Sequence, residues 1–430
     1  MNGKLLVIEC AGLDMAAVAS GKKLHSLPGI EFRPLEPVFP AVTCTAQATM
    51  RTALPPARHN IVANGRFDRR SGKVEFWNQS AWLYSGERIW EKARAKGATV
   101  AVMFTQQSLG DCTDYCLSPA PIHKHHGGMI MACQTRPPSL EQEIYSQLGS
   151  KFKLFNYWGP LASRASGEWC ARSTAALMRL HHPNIVFTYL PNMDYCLQRE
   201  GPHGKSIGRE ADFLADSLAE LLAVAKELGY EVVIWGDYAI TEAHLPIYPN
   251  KVLLDAGLFV CRELEGMLYP NLFDSRAFAL CDHQVAHLYI RDKADVAAVH
   301  QALAHVEGIE SIQTPVEAAL ASPEAGELVL TAKPGAWFAY SWWETKRQAP
   351  DYATHVDIHS KIGFDPCELF WHIPFISTSL DCTKVKGTHG RADTPAAFAV
   401  TPGLTALGNK TTLLELSAGL RDYISADYFG

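Results

Sequence analysis

The sequence predicts an α/β protein in which a central, mostly parallel sheet is flanked by helices, with an inserted cap and a small α+β subdomain. Two observations carry this reading. Three continuous apolar runs, residues 4–9 (KLLVIE), 184–190 (NIVFTYL) and 230–236 (YEVVIWG), read as strands buried on both faces, as in a parallel sheet. Between the last two, within residues 203–228, Ile207, Ala211, Leu214, Leu218, Leu221, Leu222, Ala225 and Leu228 recur at helical spacing before Gly229, a natural C-terminal stop. Strand, helix and strand make a βαβ unit, whose crossover is right-handed.

Composition bounds the rest. The 430 residues are 47% apolar and 20% charged, which excludes general disorder. A net charge of -6 argues against a nucleic-acid polymer as partner. No apolar run reaches the roughly 18 residues of a membrane helix, so no membrane partner is expected. The opening MNGKLLVIEC runs directly into the first strand without a secretory leader, and a cytoplasmic location is the expectation. The 11 cysteines are odd in number, scattered and free of any CxxC, which reads as small buried hydrophobes rather than disulfides or a zinc module.

Along the chain, the first strand closes on Glu9. Residues 43–54 (TCTAQATMRTAL) form a short helix that ends before Pro55 and Pro56. Thr43 then stands at the helix N-terminus, where free backbone N–H groups favour an anion. Its hydroxyl there is either an N-cap or a nucleophile, and a nucleophile needs a metal or a base to activate it. Residues 62–150 read as a cap or insertion, aromatic at 76–84 (FWNQSAWLY) and polar around the HKHH tract at 123–126. The aromatic segment, like Trp342 and Trp343, is core packing or a stacking platform. The HKHH tract is an exposed polar surface or a metal trap.

Asp194 follows the second strand by four residues, and Asp237 follows the third directly. Residues 272–330 read as the small α+β subdomain, and 328–340 return to strands. Glu9, Asp194 and Asp237 thus gather at the C-terminal edge of the sheet, where open α/β proteins bind ligands. Singly, each could cap a helix. Together they repel one another unless cations compensate. Two further clusters stand out: Asp282, His283 and His287, and His355, Asp357, His359 and Asp365. Alternation places His355, Asp357 and His359 on one face of a strand.

The ordered motifs resemble the alkaline phosphatase superfamily in its type I phosphodiesterase/nucleotide pyrophosphatase branch. That branch has a P-x-x-T nucleophile segment, matched by Pro40-Ala-Val-Thr43. Its T-G-L-x-P-x-x-H-G-I stretch is matched by Thr52 to Ile61, and its D-x-x-x-H-x-x-G-P by Asp194 to Pro202. Its D-H-G is matched by Asp237-Tyr238-Ala239, and its G-T-H-G by Gly387-Thr388-His389-Gly390. The segments AVTCxAQATM, DYxLQRxGP and VDIHxK look similar to a bacterial subgroup of the superfamily.

The resemblance implies an alkaline-phosphatase-like fold and a metal-dependent phosphoric ester hydrolase acting on a small phosphoester or pyrophosphate. It implies two divalent ions, one held by Glu9, Thr43 and Asp237 and the other by Asp194 and His389. Zinc comes first, with Mn²⁺ or Mg²⁺ where oxygen donors dominate. Thr43 would be the nucleophile, forming a phospho-threonine that water then hydrolyses. Phosphonate hydrolysis or phosphoryl transfer on the same site, or a catalytically silent binding protein, are the alternatives. The chain departs from the pattern at three places. Glu9 stands where aspartate is usual, and Gln198 and Tyr238 stand where histidine ligands are usual. Gln198, Tyr238, Asp357 and His359 are therefore further candidates for metal or substrate contacts.

Overall fold

The structure, a computed structural model, describes residues 3–126, 128–372 and 377–426. Its centre is an eight-stranded sheet. In spatial order the strands are Arg33–Leu35, Ala396–Val400, Glu231–Gly236, Leu5–Cys10, Ile185–Leu190, Val100–Met103, Tyr115–Pro119 and Cys133–Arg136. The five from Glu231–Gly236 to Tyr115–Pro119 run parallel, and the outer pairings are antiparallel. The α/β fold with a mostly parallel sheet is as the apolar runs predicted.

Alternation along the middle strand explains how the layers are filled. Leu6, Ile8 and Cys10 join the core beneath helices Arg164–His181 and Ile207–Leu228. Leu5 and Val7 join the opposite core, beneath helices Thr43–Thr52 and Leu413–Ser425. Each such aliphatic side chain contributes roughly 1.5–3 kcal/mol on burial, which makes this strand the hub of both layers. Glu9 continues the Leu5, Val7 face and so points toward helix Thr43–Thr52. Helix Ile207–Leu228 ends at Gly229, whose φ of 77° is left-handed.

The segment expected as a cap, 62–150, differs from that expectation. It supplies three strands of the main sheet, Val100–Met103, Tyr115–Pro119 and Cys133–Arg136. Val100–Met103 is short and wholly buried, and the five-residue apolar run Val100 to Phe104 that contains it does not by itself distinguish a core strand from a buried helix segment. Residues 277–332 build a second sheet of Ala277–Asp282, Val285–Ile290, Leu328–Ala332 and Ile309–Gln313, with helix Val296–Leu303 and a core of its own. The strand expected through His355, Asp357 and His359 is absent, and that stretch turns instead. Asp357 causes this locally, because its Oδ1 accepts the backbone N–H groups of His359 and Ser360. Among the described residues no helix is long and apolar enough to cross a membrane.

Candidate active site

Register sets the rim. Cys10, Leu190 and Gly236 lie level at the ends of their strands, so Glu9 sits one residue inside the edge and Asp237 one beyond it. Asp194 opens helix Asp194–Glu200 after a short turn from Leu190. Thr43 opens helix Thr43–Thr52, yet it does not cap it. Val42 occupies the N-cap position with no side-chain cap bond. Asn64 Oδ1 accepts from Cys44 N at 2.9 Å in its place. Asn64 is held by Asp282, whose carboxylate accepts its N at 2.7 Å and its Nδ2 at 3.1 Å. The Thr43 hydroxyl is thereby left available to the cleft.

That hydroxyl shares a 3.1 Å hydrogen bond with Tyr238 OH, and Tyr238 OH donates to Asp194 Oδ1 at 3.1 Å. With its proton on Asp194, the phenol oxygen accepts from Thr43, so the three groups form a directed chain. Gln198, one helical turn on, donates Nε2 to the same Asp194 oxygen at 2.9 Å, and its buried Oε1 has no partner among the described residues. Burial raises the Asp194 carboxyl to about 6, against the lowering effect of its Gln198 and Tyr238 bonds.

Glu9 and Asp237 lie behind this chain, 2% and 0% exposed. Gln47 donates to Glu9 Oε1 at 3.0 Å, and Gly12 N and Tyr238 N donate to Asp237 Oδ1 at 3.0 and 3.1 Å. Asp237 Oδ2 has no partner among the described residues. Burial pushes both carboxyls up, and the charge of Asp237 pushes Glu9 further. His389 donates Nδ1 to Ala41 O at 2.8 Å, which leaves Nε2 as its basic nitrogen, and burial lowers it to about 3.

Thr43, Asp194, Gln198, Tyr238, His389, His283 and His359 line one cleft of about 700 Å³, mouth included. His283 stacks on His389 and Phe364. His359 donates Nδ1 to Phe76 O at 2.9 Å. Asp357 is not among the lining residues, and His287 bonds Val62 O and Gly326 N away from the cleft. The tract 123–126 is exposed. Trp342 is buried in the second core, while Trp77 from the aromatic segment lines the cleft. Gln47 and Asn64, which orient Glu9 and the helix, were not singled out from the sequence. Single amides carry no spacing signal, and only their contacts reveal them.

Whether these residues suit metal ions can be tested on their donors. The pair Glu9 and Asp237, fully buried with one carboxylate oxygen unpartnered among the described residues, is a donor set suited to a hard divalent cation. The histidine-rich donor set of a second, zinc-type ion is not assembled. Asp194 Oδ1 is already engaged by Gln198 and Tyr238. Among the described residues no three His, Cys, Asp or Glu side chains converge as a ready metal centre.

A mostly parallel sheet with acids at its carboxyl edge and a threonine on the first turn of a neighbouring helix is an alkaline-phosphatase-like architecture. The chain belongs to the type I phosphodiesterase/nucleotide pyrophosphatase family, whose sequence model matches residues 22–365. It is a hydrolase of the phosphoester class, and members of its family are metal-dependent, generally through two divalent ions. Among solved structures it is similar to phosphonoacetate hydrolase from Sinorhizobium meliloti 1021, with TM-score 0.61, 14% identity, and coverage of 97% of this chain and 95% of that one. It is also similar to murine ectonucleotide pyrophosphatase/phosphodiesterase 5, with TM-score 0.60, 14% identity and coverage of 98% and 95%. The human counterpart gives 0.61, 14%, 98% and 94%. At such identities these likenesses speak to fold. No curated protein matches the chain.

Proposed function

We propose that the protein hydrolyses phosphoric esters of the phosphodiesterase/pyrophosphatase type through Thr43 as nucleophile. The observation that supports this most is the Thr43 hydroxyl itself, at the first turn of a helix, released from capping by Asn64 and bonded to Tyr238. A divalent ion held by Glu9, Asp237 and Thr43 would supply positive charge opposite the phosphoryl oxygens and acidify the hydroxyl.

The chain's own groups account for the remaining roles. Thr43 Oγ1 forms the new bond to phosphorus as the ester oxygen leaves. Its proton moves to Tyr238 while the phenol passes its own to Asp194, along the two 3.1 Å contacts. With the Cys44 N–H taken by Asn64, the positive end of the helix dipole would still favour the phosphoryl charge at Thr43. His389, with Nδ1 bonded to Ala41 O and its ring stacked on Tyr238, keeps Nε2 unprotonated and would orient the water that cleaves the phospho-threonine by accepting its hydrogen bond.

The test is hydrolysis of bis(p-nitrophenyl) phosphate with magnesium, manganese or zinc, comparing wild type with Thr43→Ala. A loss of about 10³-fold or more in kcat is expected for the variant. Undiminished turnover by Thr43→Ala would remove the nucleophile assignment.

A further inference from the structure

A second cavity of about 1170 Å³, mouth included, lies along helix Asp194–Glu200. Pro191 and Tyr195 line both it and the Thr43 cleft. Thr43, Gln198, Tyr238 and His389, with the wall residues Ile358, His359 and Phe364, line the cleft alone. The two spaces are neighbours with separate chemistry.

Three guanidinium groups line the second space, those of Arg164, Arg199 and Arg209. Arg199 donates Nη1 and Nη2 to Ala162 O at 3.5 and 3.4 Å, and among the described residues no carboxylate forms an ion pair with it. Arg164 lies over the Phe213 ring, 4.1 Å from its centroid, and its ion pair with Glu168 is long at 3.8 Å. Arg209 stands equally far from Glu210, at 3.8 Å. Two carboxylates share the lining, Glu200 and Glu210. Glu200 accepts from Ser206 N at 3.0 Å and from the Ser206 hydroxyl at 2.6 Å, while burial raises Glu210 toward its neutral form. The balance of the space is cationic.

The first turn of helix Arg164–His181 also reaches it, through Ser163, Arg164 and Ser166. Ser163 holds the N-cap position without a side-chain cap bond, so N–H groups of that turn stay open. Asn192 is an independent sign of a ligand. It lines the same space, is 9% exposed, and neither its Nδ2 nor its Oδ1 has a partner among the described residues. A buried amide is ordinarily hydrogen-bonded within the protein. This one is laid against the helix start, because a Cβ at position 167 would stand 1.8 Å from Asn192 Oδ1 and Gly167 has none.

We propose that this second cavity binds a phosphate group, held by Arg164, Arg199 and Arg209, by Asn192 Nδ2 and by the open first turn of helix Arg164–His181. A carboxylate presents fewer acceptor oxygens than a phosphate does, and the donors here arrive from three helices, Arg164–His181, Asp194–Glu200 and Ile207–Leu228. The site stands apart from the Thr43 reading and does not depend on it.

The experiment titrates inorganic phosphate by calorimetry into the metal-loaded protein and into the chelated protein. The second cavity is expected to bind one phosphate per chain in both, with Kd about 1 mM or tighter. Any phosphate held by the cation beside Thr43 disappears on chelation, so failure of that site leaves this one readable. Arg164→Gln/Arg209→Gln gives up only long, exposed ion pairs and should fold normally. It should weaken the chelation-resistant phosphate at least about tenfold, the size of a lost charge-assisted bond or two. Asn192→Ala should weaken it about fivefold without lowering the melting temperature, because the amide has no partner to lose. Phenyl phosphate separates two sources of the group. Binding at least about threefold tighter than phosphate marks a phosphomonoester whose organic part meets Phe213 or Tyr195, and equal binding marks free phosphate.

Absence of a chelation-resistant phosphate overturns the proposal. So does a phosphate whose affinity both variants leave unchanged, since it would then sit elsewhere on the surface.

Discussion

The rings of Tyr238 and His389 lie face to face, 3.6 Å between centroids and 3° from parallel. His389 packs in turn on His283 at 3.7 Å, and His283 on Phe364 at 4.3 Å, so a column of rings runs from the Thr43 hydroxyl to the cleft wall. A phenol carries its polar atom farther from the backbone than an imidazole does. Tyr238 can thus stack on His389 and still reach Thr43 and Asp194. The tyrosine is integrated into the site rather than a histidine merely lost from it.

Tyr238→Phe separates these two roles, since it keeps the stack and deletes the hydroxyl between Thr43 and Asp194. With one buried hydrogen-bond partner removed, stability is expected to fall by about 1–3 kcal/mol, leaving the protein folded. Steady-state kinetics should show kcat lowered about 100-fold, the low end of a general acid–base contribution. A phenylalanine variant with wild-type kcat would show that the proton takes another route.

The double variant Gln198→His/Tyr238→His supplies the two imidazoles that the family pattern has and this chain lacks. Zinc affinity, measured by calorimetry on chelator-treated protein, is expected to rise by at least about tenfold, because imidazole nitrogens replace a neutral amide and a protonated phenol. If zinc binds both proteins alike, the donors at 198 and 238 do not face the ion.

The fold was legible where long-range burial leaves a local trace. The strands ending near Glu9 and Asp237 are continuous apolar runs because both of their faces are covered, and helix Ile207–Leu228 shows its period because only one side is. Val100–Met103 was not legible because the five-residue apolar run that contains it is too short to distinguish a core strand from any apolar patch. At the site, acids after strands and a threonine opening a helix could be read from order alone. The stack of Tyr238 on His389 joins residues 151 positions apart, and the cap from Asn64 to Cys44 depends on Asp282, so neither has a sequence period to betray it. The turn at Asp357 misled for the opposite reason: alternating polarity mimicked a strand that a side-chain-to-backbone bond prevents.

Cation removal should be visible as a pH-dependent loss of stability. Asp194 is raised to about 6 and Glu9 and Asp237 are raised as well, in each case chiefly by burial. A carboxyl whose folded pKa exceeds its unfolded one favours the folded state below the unfolded value, and that contribution is lost as pH rises through the folded one. Chelated protein should therefore melt at progressively lower temperature as pH increases from about 5 to 8, with Asp194 losing its share near 6. Adding magnesium or manganese should raise the melting temperature more at pH 8 than at pH 5, since a cation competes best where protons are scarce. Scanning calorimetry with and without chelator checks this, and an ion effect independent of pH would contradict cation binding at these carboxyls.

The wall residues Ile358, His359 and Phe364 hang on a buried ion cluster. Lys361 is 1% exposed and donates to Asp365 Oδ2 at 2.9 Å, to Glu368 Oε1, and to the carbonyls of Ala353 and His355 at 3.4 and 3.1 Å. It ties down both ends of the turn that carries Ile358 and His359. Replacing it by methionine fills similar space but leaves two buried carboxyls without their cation, a defect of about 3–5 kcal/mol. Glu368 already stands at about 7, raised first by burial and held down by Lys361. Without the lysine its folded pKa rises further, so the variant's deficit should be smaller at pH 6 than at pH 8. Lys361→Met/Glu368→Leu removes one of the stranded acids and should recover part of the loss. Denaturant unfolding at the two pH values reads both effects, and a pH-independent deficit, unrelieved by the second substitution, would mean that Lys361 acts through its carbonyl contacts alone.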